Sequence, residues 1–159
     1  MTAPRFRPEW VSFGSPAAIV TSMGLILGLD AAGAGSRAIS GALLIVAIAD
    51  NLSDSLSVHM YQEAERLEER QAFASTAANF AARLVVSLTF VAGVALLPRA
   101  WLLPAAVGWG FALLASLTRA IARARGAPVA REVGTHMLTA ATVLVVSRAV
   151  GQWIAGAFA

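Results

Sequence analysis

Cysteine is absent from this 159-residue chain. That excludes a disulfide framework and a thiolate metal site, and leaves redox compartment unread. Charge is scarce as well. Only 13% of the residues are charged, about half the share in ordinary soluble domains. Catalytic signatures are missing: there is no Gly-x-Ser-x-Gly, no His-Glu-x-x-His, no glycine-rich phosphate loop and no Cys/His metal set. The chain is therefore not expected to be an enzyme or to hold a permanently bound cofactor. The sequence pI is about 11.0 and the net charge +3. The basic residues are nevertheless spread along the chain, which argues against a nucleic-acid partner. All of them are arginine, and with the abundant alanine this bias fits a GC-rich bacterial coding sequence.

What is present is apolar length. Hydrophobic residues make up 58% of the chain and mean hydropathy is +0.71. They come in long blocks rather than short alternating strands, the pattern of membrane-spanning helices. The expected fold class is all-α: a single polytopic domain over residues 1–159 with five transmembrane helices. The spans are read at 16–34, at 39–61 with a helical extension to 73, and at 77–97, 101–121 and 133–155. Pro16 suits a first helical turn. Pro98 ends the third span, and Gly126 and Pro128 mark the loop before the fifth. A basic N-terminus, a short apolar run and small residues at 31–36 mimic a signal peptide, but the later spans argue against its removal.

Arginine sets the expected orientation. The N-terminus, the 61–76 connection and the 119–131 loop carry two, two and four. The 35–38 and 98–100 turns carry one each, and the C-terminus none. By the positive-inside rule the N-terminus and both longer connections are cytoplasmic, in a multi-pass protein of a cell (inner) membrane.

The stretch Ile39–Tyr61 carries the chemistry. At 100° per residue Asp50, Ser53, Asp54, Ser57 and Tyr61 share one face, with Leu52, Leu56 and Met60 opposite. Asp50 is about 16 Å along the span from Ile39, near mid-membrane. A carboxylate there costs a few kcal/mol in lipid, so it must face protein or water. Asp50 and Asp54 could supply hard oxygen ligands to a divalent cation or exchange protons, with Ser57 continuing the stripe. The structural alternative is that they pair with Arg83 or Arg148. Glu63, Glu65 and Gln62 could form a cation-collecting mouth or a merely solvated helix face. His59 sits beside this stripe with its role open, and His136 reads as ordinary packing. Asp30 reads as an interfacial residue or a partner for Arg37. Gly24 and Gly28 form a Gly-x-x-x-Gly pair, suited equally to packing within the chain and to a dimer contact.

Three segments resemble the vacuolar iron transporter family of divalent-metal transporters. FGSPAAIVTSMGLILGLDAAGAG (13–35) is similar to that family's first span, IADNLSDSLSVHMYQEAE (48–65) to its second and REVGTHMLTAATVLVVSRAVGQWI (131–154) to its last. The resemblance implies a homodimer in the lipid bilayer that exports or sequesters Fe²⁺ or Mn²⁺, exchanged for protons. It places the ion path between paired first and second spans. Asp54 and Ser57 match the family's span-two Asp and Ser, and the Gly24/Gly28 face takes a dimer role. This chain departs from the pattern at Ala17, where the family carries a transport carboxylate, and at Val58, where it carries a methionine. Tyr61-Gln62 stands at the family's Gly-Glu position, and the glutamate-rich metal-binding insert is missing. Asp50 could replace the carboxylate lost at Ala17. The rival expectation is a membrane scaffold or partner subunit that keeps this fold without transport.

Overall fold

A computed structural model describes residues 14–64 and 69–158, with the side chains of 62–64 and 69–72 outside the description. The described chain forms five α-helices: α1 Ser15–Ala31, α2 Ser36–Ala64, α3 Glu69–Leu96, α4 Arg99–Ala124 and α5 Val129–Ala157. The protein is thus all-α. Four of the helices, α2 to α5, contain stretches long and apolar enough to cross a membrane. The polytopic membrane class follows. Helix α1 is apolar but shorter, at 17 residues.

The turns follow from local chemistry. Gly33 adopts φ +84° and Gly126 φ +66°, the left-handed region that only glycine enters cheaply. After α1, Gly33 N–H donates to Asp30 O and Ala34 N–H to Leu29 O. After α4, Gly126 N–H donates to Arg123 O and Ala127 N–H to Ala122 O. Both are Schellman closures, which satisfy carbonyls that a helix end otherwise leaves bare. This is why α1 stops at Ala31, short of the expected Ala34. Between α3 and α4, Pro98 cannot continue a helix and instead precedes the next one.

The expected continuous helix from the second span to Phe73 passes through residues 65–68, which lie outside the described residues. Helix α2 is described to Ala64, and Glu69–Phe73 belong to the start of α3. No glycine or proline between Tyr61 and Phe73 marks this change of element.

Helix α1 lies at the centre and contacts all four others, while α2 pairs with α3 and α4 with α5. Its Ile19, Met23 and Ile26 are fully buried, against Ile39 and Leu43 of α2, Phe90 and Val94 of α3, and Leu102 and Leu114 of α4. The inward residues of α2 recur every four positions: Ile39, Leu43, Ala47, Asn51, Ser55. On α3 the inward stripe runs Ser75, Asn79, Arg83, Ser87, Phe90, Val94. The α2–α3 seam is therefore apolar towards the α1–α2 turn and polar towards the other end. Large apolar side chains on the outside, including Ile45, Leu52 and Leu56 on α2 and Val145 and Trp153 on α5, are exposed. That inverted surface suits lipid.

Helices α1 and α5 approach closely through small residues. A Cβ on Gly24 would lie 2.9 Å from Ser147 Oγ, and one on Gly28 3.1 Å from the Ser147 carbonyl oxygen. A Cβ on Gly151 would collide with the Gly28 carbonyl. The Gly24/Gly28 face that the family resemblance assigned to a dimer is thus filled within the chain by α5.

Candidate functional site

The polar half of the α2–α3 seam is built around one side chain. Arg83 is buried, with 3% of its side chain accessible. Its Nε donates to Asn51 Oδ1 at 2.6 Å, and its Nη2 to Asp50 Oδ2 at 2.6 Å. Nη1 donates to Asp54 Oδ2 at 2.8 Å and to the Gly14 carbonyl at 3.2 Å. All three nitrogens of the planar fork are engaged, which suits arginine and no other cation. The helices dictate this convergence. Asp50 and Asp54 are one turn apart, and Asn51 lies 100° around from Asp50 on the inward stripe.

Gly14 is placed by the same contact. A Cβ there would lie 2.7 Å from Arg83 Nη1 and 2.8 Å from Asn79 Oδ1, and closer still to Arg83 Cδ. Only a residue without a side chain lets the segment entering α1 lie on the guanidinium. Arg83 thereby ties α3, α2 and the entry to α1 together.

Three helices give the depth consistently. At 1.5 Å per residue the cluster lies about 16–22 Å along α2 from Ile39, about 20 Å along α3 from Leu96 and about 24 Å along α1 from Asp30. Those distances are within a hydrocarbon thickness of about 30 Å. With both carboxylates ionised, two negative charges face one positive charge, a net of −1. The acids flank the seam instead of closing it: side-chain accessibility is 52% for Asp50 and 38% for Asp54.

The other predicted residues fall around this centre. Ser57 is exposed, on the Asp flank of α2, and its hydroxyl donates to the Ser53 carbonyl, just as Ser53 donates to Ala49. His59 is half-buried, Tyr61 and Met60 are exposed, and Val58 is half-buried. Gln62 and Glu63 belong to the last turn of α2 with their side chains outside the described residues, and Glu65 lies outside them altogether. Ala17 is exposed near the start of α1. Among the described residues no group of three or more His, Cys, Asp or Glu side chains comes together.

Arg148 is exposed on α5 and takes no part in the cluster. Asp30 pairs with Arg99 at 2.8 Å, where Arg37 was the expected partner, and Arg99 also reaches the Ala34 carbonyl. His136 lies against the Glu132 carbonyl of its own helix.

Sequence reasoning offered Arg83 only as one of two alternative partners and gave no role to Asn51, Asn79 or Gly14. The signal for them was available: Asn51 and Ser55 continue the Leu43/Ala47 stripe at four-residue spacing, and Asn79 and Arg83 are spaced alike. Comparison of the chain with family models, with curated proteins and with solved structures finds no match.

Proposed function

We propose that this chain carries a divalent transition-metal ion, Fe²⁺ or Mn²⁺, out of the cytoplasm across the cell (inner) membrane, in exchange for protons. The observation that carries the reading is the charge imbalance: two carboxylates converge on a single buried guanidinium inside the apolar layer. Intramembrane acids are expensive and usually mark an ion or proton pathway. Arg83 acts as a resident counter-cation that holds Asp50 and Asp54 in place, and the residual negative charge draws the cargo. Asp50, Asp54 and Ser57 supply hard oxygen ligands, which accept Mn²⁺ readily. Glu63 and Glu65 follow on the same chain segment towards the cytoplasm. The resemblance of residues 13–35, 48–65 and 131–154 to the vacuolar iron transporter family supports the same reading, as does the arginine distribution for a cytoplasmic N-terminus and five crossings.

The active form is a homodimer. Asp50 and Asp54 are partly exposed on the outside of one chain at membrane depth, where lipid cannot solvate them. A second copy laid against α2 covers both acids and the row Ile45, Ile48 and Leu52 beside them. With Gly24 and Gly28 already packed on α5, it is α2 that presents the contact surface.

A second reading has its own observation. Four of the five N–H donors of Arg83 have acceptors on α2 and the entry to α1, as a structural staple would require. On that view the chain is a scaffold or partner subunit. Mn²⁺ and Fe²⁺ flux into proteoliposomes under a pH gradient separates the two. Transport by the wild type that is lost in a folded Asp54→Asn dimer supports the carrier. Absence of flux from folded wild type, with Asp54→Asn reducing folded yield, supports the scaffold.

A further inference from the structure

The antiparallel register of α2 and α3 extends the site by one layer. Arg83 bonds Asn51, so by antiparallel register one turn on along α2 and one turn back along α3 brings Ser55 level with Asn79, and a further turn brings His59 level with Ser75. Ser55 and Asn79 are 8% and 1% exposed, and Asn51 is 1% exposed. Yet Ser55 Oγ, both Oδ1 and Nδ2 of Asn79, and Asn51 Nδ2 have no hydrogen-bond partner among the described residues. Four such atoms in two adjacent layers, about 6 Å apart, are far from the norm for buried polar groups. Leaving each bare would be destabilising.

We propose that this layer of the seam binds water, held between Asn79, Ser55 and Asn51, and that through the His59–Ser75 layer it connects the Asp50–Arg83–Asp54 cluster to the aqueous phase at the α2–α3 end. The atom types select the ligand. A metal ion would satisfy Asn79 Oδ1 and Ser55 Oγ but leave two amide NH₂ groups unpaired. Water both donates and accepts, and a buried water typically takes about three such partners. The seam also changes character at this level. Beyond Ala47 it is closed by Leu43, Ile39, Phe90 and Val94, all fully buried, so hydration stops at the cluster instead of crossing the layer. The result is a one-sided aqueous inlet, independent of whether any ion is carried.

The native chain has no cysteine, so single thiols can be read without background. Ser55→Cys and Ala47→Cys occupy the same inward stripe of α2, two turns apart. Membranes bearing each variant are treated with a small methanethiosulfonate reagent or Ag⁺, both of which need a hydrated thiolate. Ser55→Cys is expected to react at least about tenfold faster than Ala47→Cys, and adding Asn79→Leu should slow it by a similar factor. Equal, slow reaction at both positions overturns the inlet. So does an Asn79→Leu protein that melts higher than wild type, because filling a dry layer with an apolar side chain relieves unpaired amides. Flux through proteoliposomes plays no part in this readout, so failure of the inlet and failure of the carrier are separately visible.

Discussion

Arg83 Nη2 stands 2.6 Å from Asp50 Oδ2, joining the middle of α3 to α2. The pair is unequal. The arginine is almost wholly buried and the aspartate half-exposed, so removing one partner is not equivalent to removing the other. Arg83→Leu leaves two carboxylates one turn apart with no counter-charge. Breaking a buried pair from one side costs about 3–5 kcal/mol, and the partial exposure of the acids places this case near about 3. Thermal unfolding in detergent should show a lowered midpoint. Adding Asp50→Asn and Asp54→Asn to Arg83→Leu should recover part of the loss, since the uncompensated charge is then gone. No recovery would mean that the guanidinium matters for its packing rather than its charge.

The α1–α5 contact gives a second expectation. Gly151→Ala drives a methyl into the Gly28 carbonyl and against Ala31, where backbone cannot move aside. Overpacking of this kind costs about 1–3 kcal/mol. Gly93→Ala on α3 meets nothing within 4 Å and should stabilise the helix by about 0.5–1 kcal/mol. Opposite shifts of the two unfolding midpoints are the result to look for.

These contrasts show what was legible in the residues. The all-α polytopic class followed from long apolar blocks, and the turns at Pro98 and Gly126 carried their own punctuation, while the first span was carried past Gly33. The passage from α2 to α3 carried none, because the charged run after Tyr61 holds only residues compatible with a helix and neither glycine nor proline. The carboxylates were visible as unusual residues, but Arg83 and Arg148 were equally available by spacing. Only the antiparallel register of α2 on α3 selects between them. Register also decides that Asn51 and Ser55 face inward while Ser53 and Ser57 turn outward, a difference of one or two positions that periodicity alone does not resolve.

Asp30 and Arg99 form the counter-example to the Arg83 cluster. Their 2.8 Å contact joins the end of α1 to the start of α4, with Arg99 54% exposed. Water and salt compete for such a pair, and its coupling should be about 1 kcal/mol or less. A double-mutant cycle with Asp30→Asn and Arg99→Gln should measure that, and it should shrink further at high salt. A coupling of several kcal/mol would place this end of α1 in a much drier setting than its exposure indicates.

Orientation can be read directly because any introduced thiol stands alone. Gly35 lies in the exposed α1–α2 turn and has open space around it, while Ala127 lies in the α4–α5 loop beside Arg125. If α2, α3 and α4 each cross the layer and the arginine-rich connections are cytoplasmic, the two positions lie on opposite sides with Gly35 outside. Gly35→Cys should then react with an impermeant maleimide on intact cells, and Ala127→Cys only after permeabilisation. Labelling of both from outside would mean that one of α2, α3 and α4 fails to cross the layer. Reversal of the pattern would invert the protein, place the open end of the α2–α3 seam on the non-cytoplasmic side, and turn the proposed export into uptake.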